Sequence, residues 1–360
     1  MKKKRIVFLL PNGGTLPIGG FKVAYEYANR LVVKGYDVHI VYPASLHFRK
    51  QTLKMQCKSI ARYFYYLFTG KYSGIQWFGL NHCVKEHWVC SLHEIFVPKS
   101  DIYIATAVAT SRYLNNYKGV TNAQKFYLIQ DFEQWGGETL ETVTTTYHYP
   151  MTKIVISKWL KQIMDEERVK CELIPNGFDF SYFKMNIPIR DKNKYRVTML
   201  NHFMEKKGCK YGFEALEMVK QVYPQLCVNL FGIGLRPKGL PEWYDYYQSP
   251  DRETHNRIYN EAAIFLGTSS IEGWGLTIGE AMICGQAVVC TDNPGYQEMA
   301  EDGKTALLSS IKDSEGLAKN IIRLIEDDVL RFRIAEAGYQ NIHRFTWEQA
   351  VEKLQSLIEQ

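Results

Sequence analysis

The 360-residue chain has no C-x-x-C pair; its eight cysteines stand singly at positions 57, 83, 90, 171, 209, 227, 284 and 290. Structural zinc sites and redox motifs use paired cysteines, and disulfide frameworks belong to short secreted chains, so a reduced cytoplasmic protein is expected. His82, Cys83, His87, Cys90 and His93 group metal-ligating types, but His87–Leu92 in their midst reads as a strand rather than a turn, and no metal is expected there. No uncharged apolar run approaches the ~18–20 residues that cross a bilayer. The apolar stretch after Lys2-Lys3-Lys4-Arg5 ends at Leu10, short of the ~7–15 residues of a secretory h-region, so neither secretion nor membrane spanning is expected. Gly13-Gly14 and Gly19-Gly20 do not make G-x-G-x-x-G, which weighs against a nicotinamide dehydrogenase. Repeats of fixed period and low-complexity segments are also missing.

Acidic residues are missing too, but only locally. None occurs between Asp37 and Glu86, a span that holds Arg49, Lys50, Lys54, Lys58, Arg62, Lys71 and Lys85. Residues 1–175 carry 23 Lys+Arg against 13 Asp+Glu (+10), and residues 176–360 carry 21 against 25 (−4), which together give the net +6.

What is present is an ordinary globular composition, 46% hydrophobic and 23% charged, long enough for two domains with separate cores. Apolar strands alternate with helical patterns, which predicts α/β architecture with parallel sheets. Strands are expected at 6–10, 36–42, 102–106, 125–130 and 153–156, with Ser157 capping a helix from Trp159. After Pro175-Asn176-Gly177 and the polar run 190–194 the alternation restarts, with strands at 195–200, 227–231, 263–267 and 287–290. Helices are expected at 209–222, 277–284, 314–326, 329–341 and 347–359. The prediction is two tandem Rossmann-like doubly wound domains, 1–185 and 186–345, with an insertion at about 46–90. Helix 346–360 returns to the first domain, and a ligand cleft lies between the two.

The most informative stretch is Ser269-Ser-Ile-Glu272-Gly-Trp-Gly275-Leu-Thr277-Ile-Gly-Glu280-Ala-Met282. A glycine turn that follows a buried strand and opens a helix aims N–H groups and the positive helix end at an anion, for which phosphate is the natural guest. Thr277 and Glu280 also fit a T-x-x-E capping box, which would make Glu280 structural. That alternative leaves Glu272 unexplained.

Glu272 and Glu280, eight apart, resemble the E-x7-E motif of retaining glycosyltransferases of family 4, whose fold is GT-B. Further motifs in the family's order agree: Gly19-Gly20 opening the first helix, Ile174-Pro-Asn-Gly-Phe-Asp179, Lys207-Gly208, Phe231-Gly232-Ile-Gly234, and Phe345-Thr-Trp-Glu348. The resemblance implies a nucleoside-diphosphate-sugar donor. Glu280 would accept the ribose hydroxyls, and Glu272 a hydroxyl of the transferred sugar. Gly275, Leu276 and Thr277 N–H groups with Lys207 would hold the departing diphosphate, and Gly19, Gly20 and Gly232 would line the donor site. No metal and no protein nucleophile is implied. The chain departs from the family where a Gly-Arg is usual, having Asn201-His202; Arg236 or His202 is the expected substitute. Gln130-Asp131-Phe132-Glu133 resembles the Q-D-x-E of a subgroup that includes rhamnosyltransferases, implying a deoxyhexose donor and catalytic parts for Gln130 and Asp131. Asp131-Phe132-Glu133 also imitates the D-x-D metal motif of a single-sheet glycosyltransferase fold, here taken as accidental.

Lys50, Lys54, Lys58 and Arg62 form one stripe of a helix, beside an apolar stripe of Leu53, Cys57, Ile60, Phe64 and Leu67. Such a helix suits an anionic membrane interface, its alternative being a packed helix with a solvated basic face. The expected partners are the sugar nucleotide, a glycan or lipid-linked acceptor and an anionic membrane surface at the inner face of the plasma membrane. Nucleic acid is not expected, because no binding motif accompanies the charge. A nucleotide-sugar epimerase and a non-catalytic sugar-nucleotide binder are the competing readings.

Overall fold

The computed structural model describes residues 4–13, 17–46, 53–69, 74–134 and 138–360, with the side chains of 53–56 left out. The chain divides into two compact units, Met1–Asn176 with Trp347–Gln360, and Gly177–Thr346.

The first unit holds strands β1 (Arg5–Leu9), β2 (Asp37–Pro43), β3 (Lys85–Val89), β4 (Ile102–Ala105), β5 (Gln124–Ile129), β6 (Thr152–Val155) and β7 (Cys171–Leu173). They form one parallel sheet in the order β3-β2-β1-β4-β5-β6-β7. The central strands β1, β4 and β5 carry fully buried apolar runs, Ile6–Leu9, Ile102–Ala105 and Phe126–Ile129, as a sheet covered on both faces requires. Its helices are α1 (Gly19–Val33), α2 (Leu53–Thr69), α3 (Val108–Asn115), α4 (Leu140–Tyr147) and α5 (Lys158–Glu166). The strand expected at His87–Leu92 begins and ends earlier, at the sheet edge. Ser157 stands at the cap position of α5 but makes no capping bond through its hydroxyl.

The second unit repeats the plan with β8 (Asn193–Leu200), β9 (Cys227–Gly232), β10 (Tyr244–Gln248), β11 (Ala262–Gly267), β12 (Ala287–Thr291) and β13 (Ala306–Ser309). This sheet is also parallel, ordered β10-β9-β8-β11-β12-β13. Around it lie α6 (Cys209–Val222), α7 (Arg252–Glu261), α8 (Leu276–Ile283), α9 (Ser314–Glu326) and α10 (Asp328–Ile342). Val197, Met199, Leu230, Leu266, Val289 and Ile321 are among the fully buried side chains of its core.

The division falls at Asn176/Gly177, earlier than 185/186, because the intervening residues are bonded into the second unit. Phe178 N–H donates to Phe345 O (3.0 Å), and Lys184 and Asn186 N–H donate to the side chains of Asn256 and Asn260 on α7 (3.0 and 2.7 Å). The last helix, α11 (Trp347–Ile358), joins the first unit, where the Trp347 ring meets Tyr27 at 5.3 Å and lies under Arg30.

Candidate donor-binding site

In each sheet the strand order reverses once, and the crevice at the carboxyl ends of the two strands flanking the reversal is where ligands of doubly wound folds bind. In the second unit those strands are β8 and β11, and the loops that follow them carry Asn201–Gly208 and Thr268–Gly275. The loops are laced together. Thr268 Oγ1 donates to Lys207 O (2.7 Å), and Ser270 N–H donates to Lys206 O (2.7 Å). Gly208 permits this approach: its φ is +62°, and a Cβ there would stand 2.1 Å from Thr268 O.

Across this seam Lys207 Nζ meets Glu272 Oε1 at 2.6 Å, with the side chains only 19% and 14% exposed. Ser269 Oγ donates to the same carboxylate oxygen (2.7 Å). The helix α8 starts at Leu276, behind Gly275 with φ +89°. Thr277 therefore sits inside the first turn rather than at the cap, and the T-x-x-E capping box does not form. The first-turn N–H groups of α8 have no intrahelical acceptors, so this end is a site for negative charge. Glu280 is buried on α8, its Oε2 accepting the Tyr259 hydroxyl (3.2 Å). Burial and the neighbouring Glu280 hold the Tyr259 phenol well above its ordinary pKa, so it stays a donor.

His202 is half-buried beside this pair. Its Nδ1 accepts the Met204 N–H (3.1 Å), which leaves Nε2 as the protonated nitrogen of the neutral ring. Burial, reinforced by Lys207, lowers its pKa below the ordinary 6.5, so the ring is a neutral donor at pH 7. The buried Cys209 thiol holds the loop, donating to Leu200 O and accepting from His202 N–H (3.3 Å each). Gly232 lets the loop after β9 approach, since a Cβ there would meet Asn201 O at 2.3 Å. Arg236 is exposed and donates to Leu240 O in its own loop and to Tyr244 O at the start of β10, both at 3.4 Å.

In the first unit, Gly20 in the first turn of α1 lies beside Gln130 at the end of β5; a Cβ on Gly20 would meet the Gln130 amide at 3.5 Å. Gly19 starts that helix. Gln130 Nε2 donates to Thr106 O (3.4 Å), and Asp131 Oδ1 accepts the Phe132 N–H (2.8 Å). Glu133 Oε2 accepts the N–H of Val108 at the start of α3 (3.1 Å), a helix-end duty that accounts for one carboxylate of the apparent D-x-D. Among the described residues no group of three or more His, Cys, Asp or Glu is placed to hold a metal ion. Lys58, Arg62 and Phe64 are exposed on α2, as are Leu67 and Phe68, the last 82% exposed. Lys50 lies outside the described residues, and of Lys54 only the helical backbone is described.

Sequence reasoning missed Tyr259, Cys209 and the anchoring role of Ser269. Ser269 lay within the informative stretch, whereas Tyr259 belongs to a helix whose pattern carried no signal.

Residues 183–341 match the family described as Glycosyl transferases group 1. A phosphatidyl-myo-inositol mannosyltransferase of Mycolicibacterium smegmatis is 25% identical over 201 residues, 53% of this chain and 51% of that protein. The chain thus spans about half the length of that relative. A Mycobacterium leprae protein of the same name is 22% identical over 99% of this chain and 96% of its own. A D-inositol 3-phosphate glycosyltransferase of Corynebacterium urealyticum is 33% identical over 54% and 52%. Among solved structures, Anabaena HepE in complex with UDP-glucose superposes with a TM-score of 0.74 at 17% identity, over 99% of both chains. Sucrose-phosphate synthase from Thermosynechococcus elongatus gives 0.73 at 15%, over 99% and 98%. At these identities the superpositions establish the fold. The second unit therefore carries a match to the Glycosyl transferases group 1 family, on the two-unit α/β fold of GT-B glycosyltransferases.

Proposed function

We propose that the protein is a retaining glycosyltransferase that moves a hexosyl or deoxyhexosyl group from a nucleoside-diphosphate sugar to a glycan or lipid-linked acceptor. The observation that carries this reading is the Lys207–Glu272 pair beside the amino end of α8, which brings a cation, a carboxylate and the first-turn N–H groups of a helix to the strand reversal of one sheet. The diphosphate is assigned to the N–H groups of Gly275, Leu276 and Thr277, to Lys207 and to neutral His202. Glu280, steadied by Tyr259, accepts ribose hydroxyl hydrogens, and Glu272 accepts one from the transferred sugar.

As the glycosidic bond breaks, negative charge grows on the diphosphate. Donors fixed there stabilise the transition state more than the ground state. Lys207 and the end of α8 supply the positive field, so the reading calls for no metal. To the first unit it assigns the acceptor, with Gln130 and Asp131 as polar contacts; the Q-D-x-E likeness supports a deoxyhexose. The exposed apolar side chains of α2 beside Lys58 and Arg62 support docking on an anionic membrane, where a lipid-linked acceptor would be met at its cytoplasmic face.

Nucleoside diphosphate should be released from a sugar nucleotide only when acceptor is added, in the presence of a chelator, with the anomeric configuration kept by NMR. Epimerised sugar nucleotide without acceptor would replace transfer by epimerisation, and tight binding without turnover would make the protein a sugar-nucleotide binder.

A further inference from the structure

Lys207 and Glu272 hold each other in this structure, yet the reading above needs each for a different part of one ligand. The two are built differently. The Lys207 backbone is locked by the Thr268 bond to its own carbonyl, by the Ser270 bond to the carbonyl of Lys206 before it and by left-handed Gly208 after it, so its flexible four-carbon stem is the part free to move. Glu272 is tethered by the Ser269 hydroxyl on the same oxygen that Lys207 uses, so it stays when the ammonium leaves. With both groups largely shielded, a partner left behind keeps a poorly solvated charge, which is costly.

We propose that Lys207 and Glu272 are an exchangeable pair by which the site tells an intact sugar nucleotide from the nucleoside diphosphate left after transfer. The diphosphate draws Lys207 off Glu272. An attached sugar refills Glu272 with a hydroxyl hydrogen, whereas free nucleoside diphosphate leaves the carboxylate uncompensated beside an anion. Loss of the sugar thus pulls Lys207 back and loosens the product. The inference rests on the proposed function, since it presupposes a diphosphate at α8.

Calorimetric titration with UDP, GDP and dTDP, each against UDP-glucose, GDP-mannose or dTDP-rhamnose, tests it. The wild type should prefer the sugar ester over its nucleoside diphosphate by about tenfold, the scale of one charge-assisted bond. Glu272→Gln keeps the shape and the Ser269 bond but surrenders Lys207. It should bind the nucleoside diphosphate about tenfold tighter than wild type does and lose the preference. Lys207→Met approaches from the other side: affinity for both should fall while the preference for the sugar ester survives. Unchanged or weaker nucleoside diphosphate binding by Glu272→Gln, or lost preference in Lys207→Met, overturns the exchange and leaves the functional reading standing. If the wild type binds none of the six compounds, the functional reading falls and the exchange with it.

Discussion

The two units close their strand reversals with the same device and fill them with different chemistry. In the first, Thr106 follows β4 and its hydroxyl donates to Leu9 O at the end of β1 (2.8 Å). In the second, Thr268 follows β11 and its hydroxyl donates to Lys207 O, in the loop after β8 (2.7 Å). Both threonines are buried, and each stitches together the two sides of a crevice. Beyond the stitch the units part. The first sets an amide, Gln130, against the bare Gly20, whereas the second sets an ammonium against a carboxylate. A doubly wound sheet dictates where a crevice opens, and the loop residues decide which ligand can enter it. The family match, residues 183–341, lies within the second unit.

The glycines give the largest contrast. Gly208→Ala puts a Cβ 2.1 Å from Thr268 O at φ +62°, and should cost ~3 kcal/mol of stability in urea unfolding. Gly20→Ala meets only ordinary contact in a helix and should be neutral or stabilising by up to ~1 kcal/mol. Equal costs would remove the distinction between a tight and a loose crevice.

Turnover comes next. Lys207→Ala should lower kcat/KM about ten- to a hundredfold, the loss of a ~1.5–3 kcal/mol charge-assisted bond. An unchanged rate in steady-state kinetics would move that duty to Lys206, His202 or Arg236. A smaller effect separates Glu280 from its support. Glu280→Ala should weaken donor binding by about tenfold and Tyr259→Phe by about threefold, as fits loss of a ligand contact against loss of one neutral bond behind it. A lower melting temperature with unchanged donor affinity would make both merely structural.

The smallest effect expected on the second unit is none. Changing Lys50, Lys54, Lys58 and Arg62 to Ser should abolish co-sedimentation with anionic liposomes, each basic residue being worth ~1 kcal/mol near such a surface. Donor affinity should not change. Wild-type binding should weaken with salt as the Debye length shrinks from ~10 Å at 0.1 M to ~3 Å at 1 M. A wild type that stays in the supernatant at low salt would make α2 an interface for something other than lipid.

Most strands were legible because the central ones carry apolar stretches buried on both faces, such as Ile6–Leu9, Ile102–Ala105 and Ala262–Leu266. β10 was not: as an edge strand of tyrosines and polar residues, it has only Tyr244 fully buried. α7 was hidden because polar Asn256 and Asn260 are among its buried residues, accepting N–H groups of the chain entering the second unit. The capping box illustrates the opposite failure. Thr277-x-x-Glu280 fits a local pattern, but Gly275 starts the helix earlier and Glu280 turns to Tyr259 instead. The types of Lys207 and Glu272 were readable in the sequence. Their pairing was not, because it is made by the stitching of two loops 65 residues apart.

The position of α11 has a consequence for biosynthesis. The first unit opens with β1 but lacks Trp347, whose ring packs on Tyr27, until the final helix has been made. The second unit is one uninterrupted stretch, Gly177–Thr346, and can complete its core while the first still waits with Tyr27 and neighbouring apolar surface uncovered. The usual order on the ribosome, amino-terminal domain first, is thereby inverted: the half that begins first finishes last, and a chain stopped at Thr346 releases a folded second unit tethered to an unfinished first.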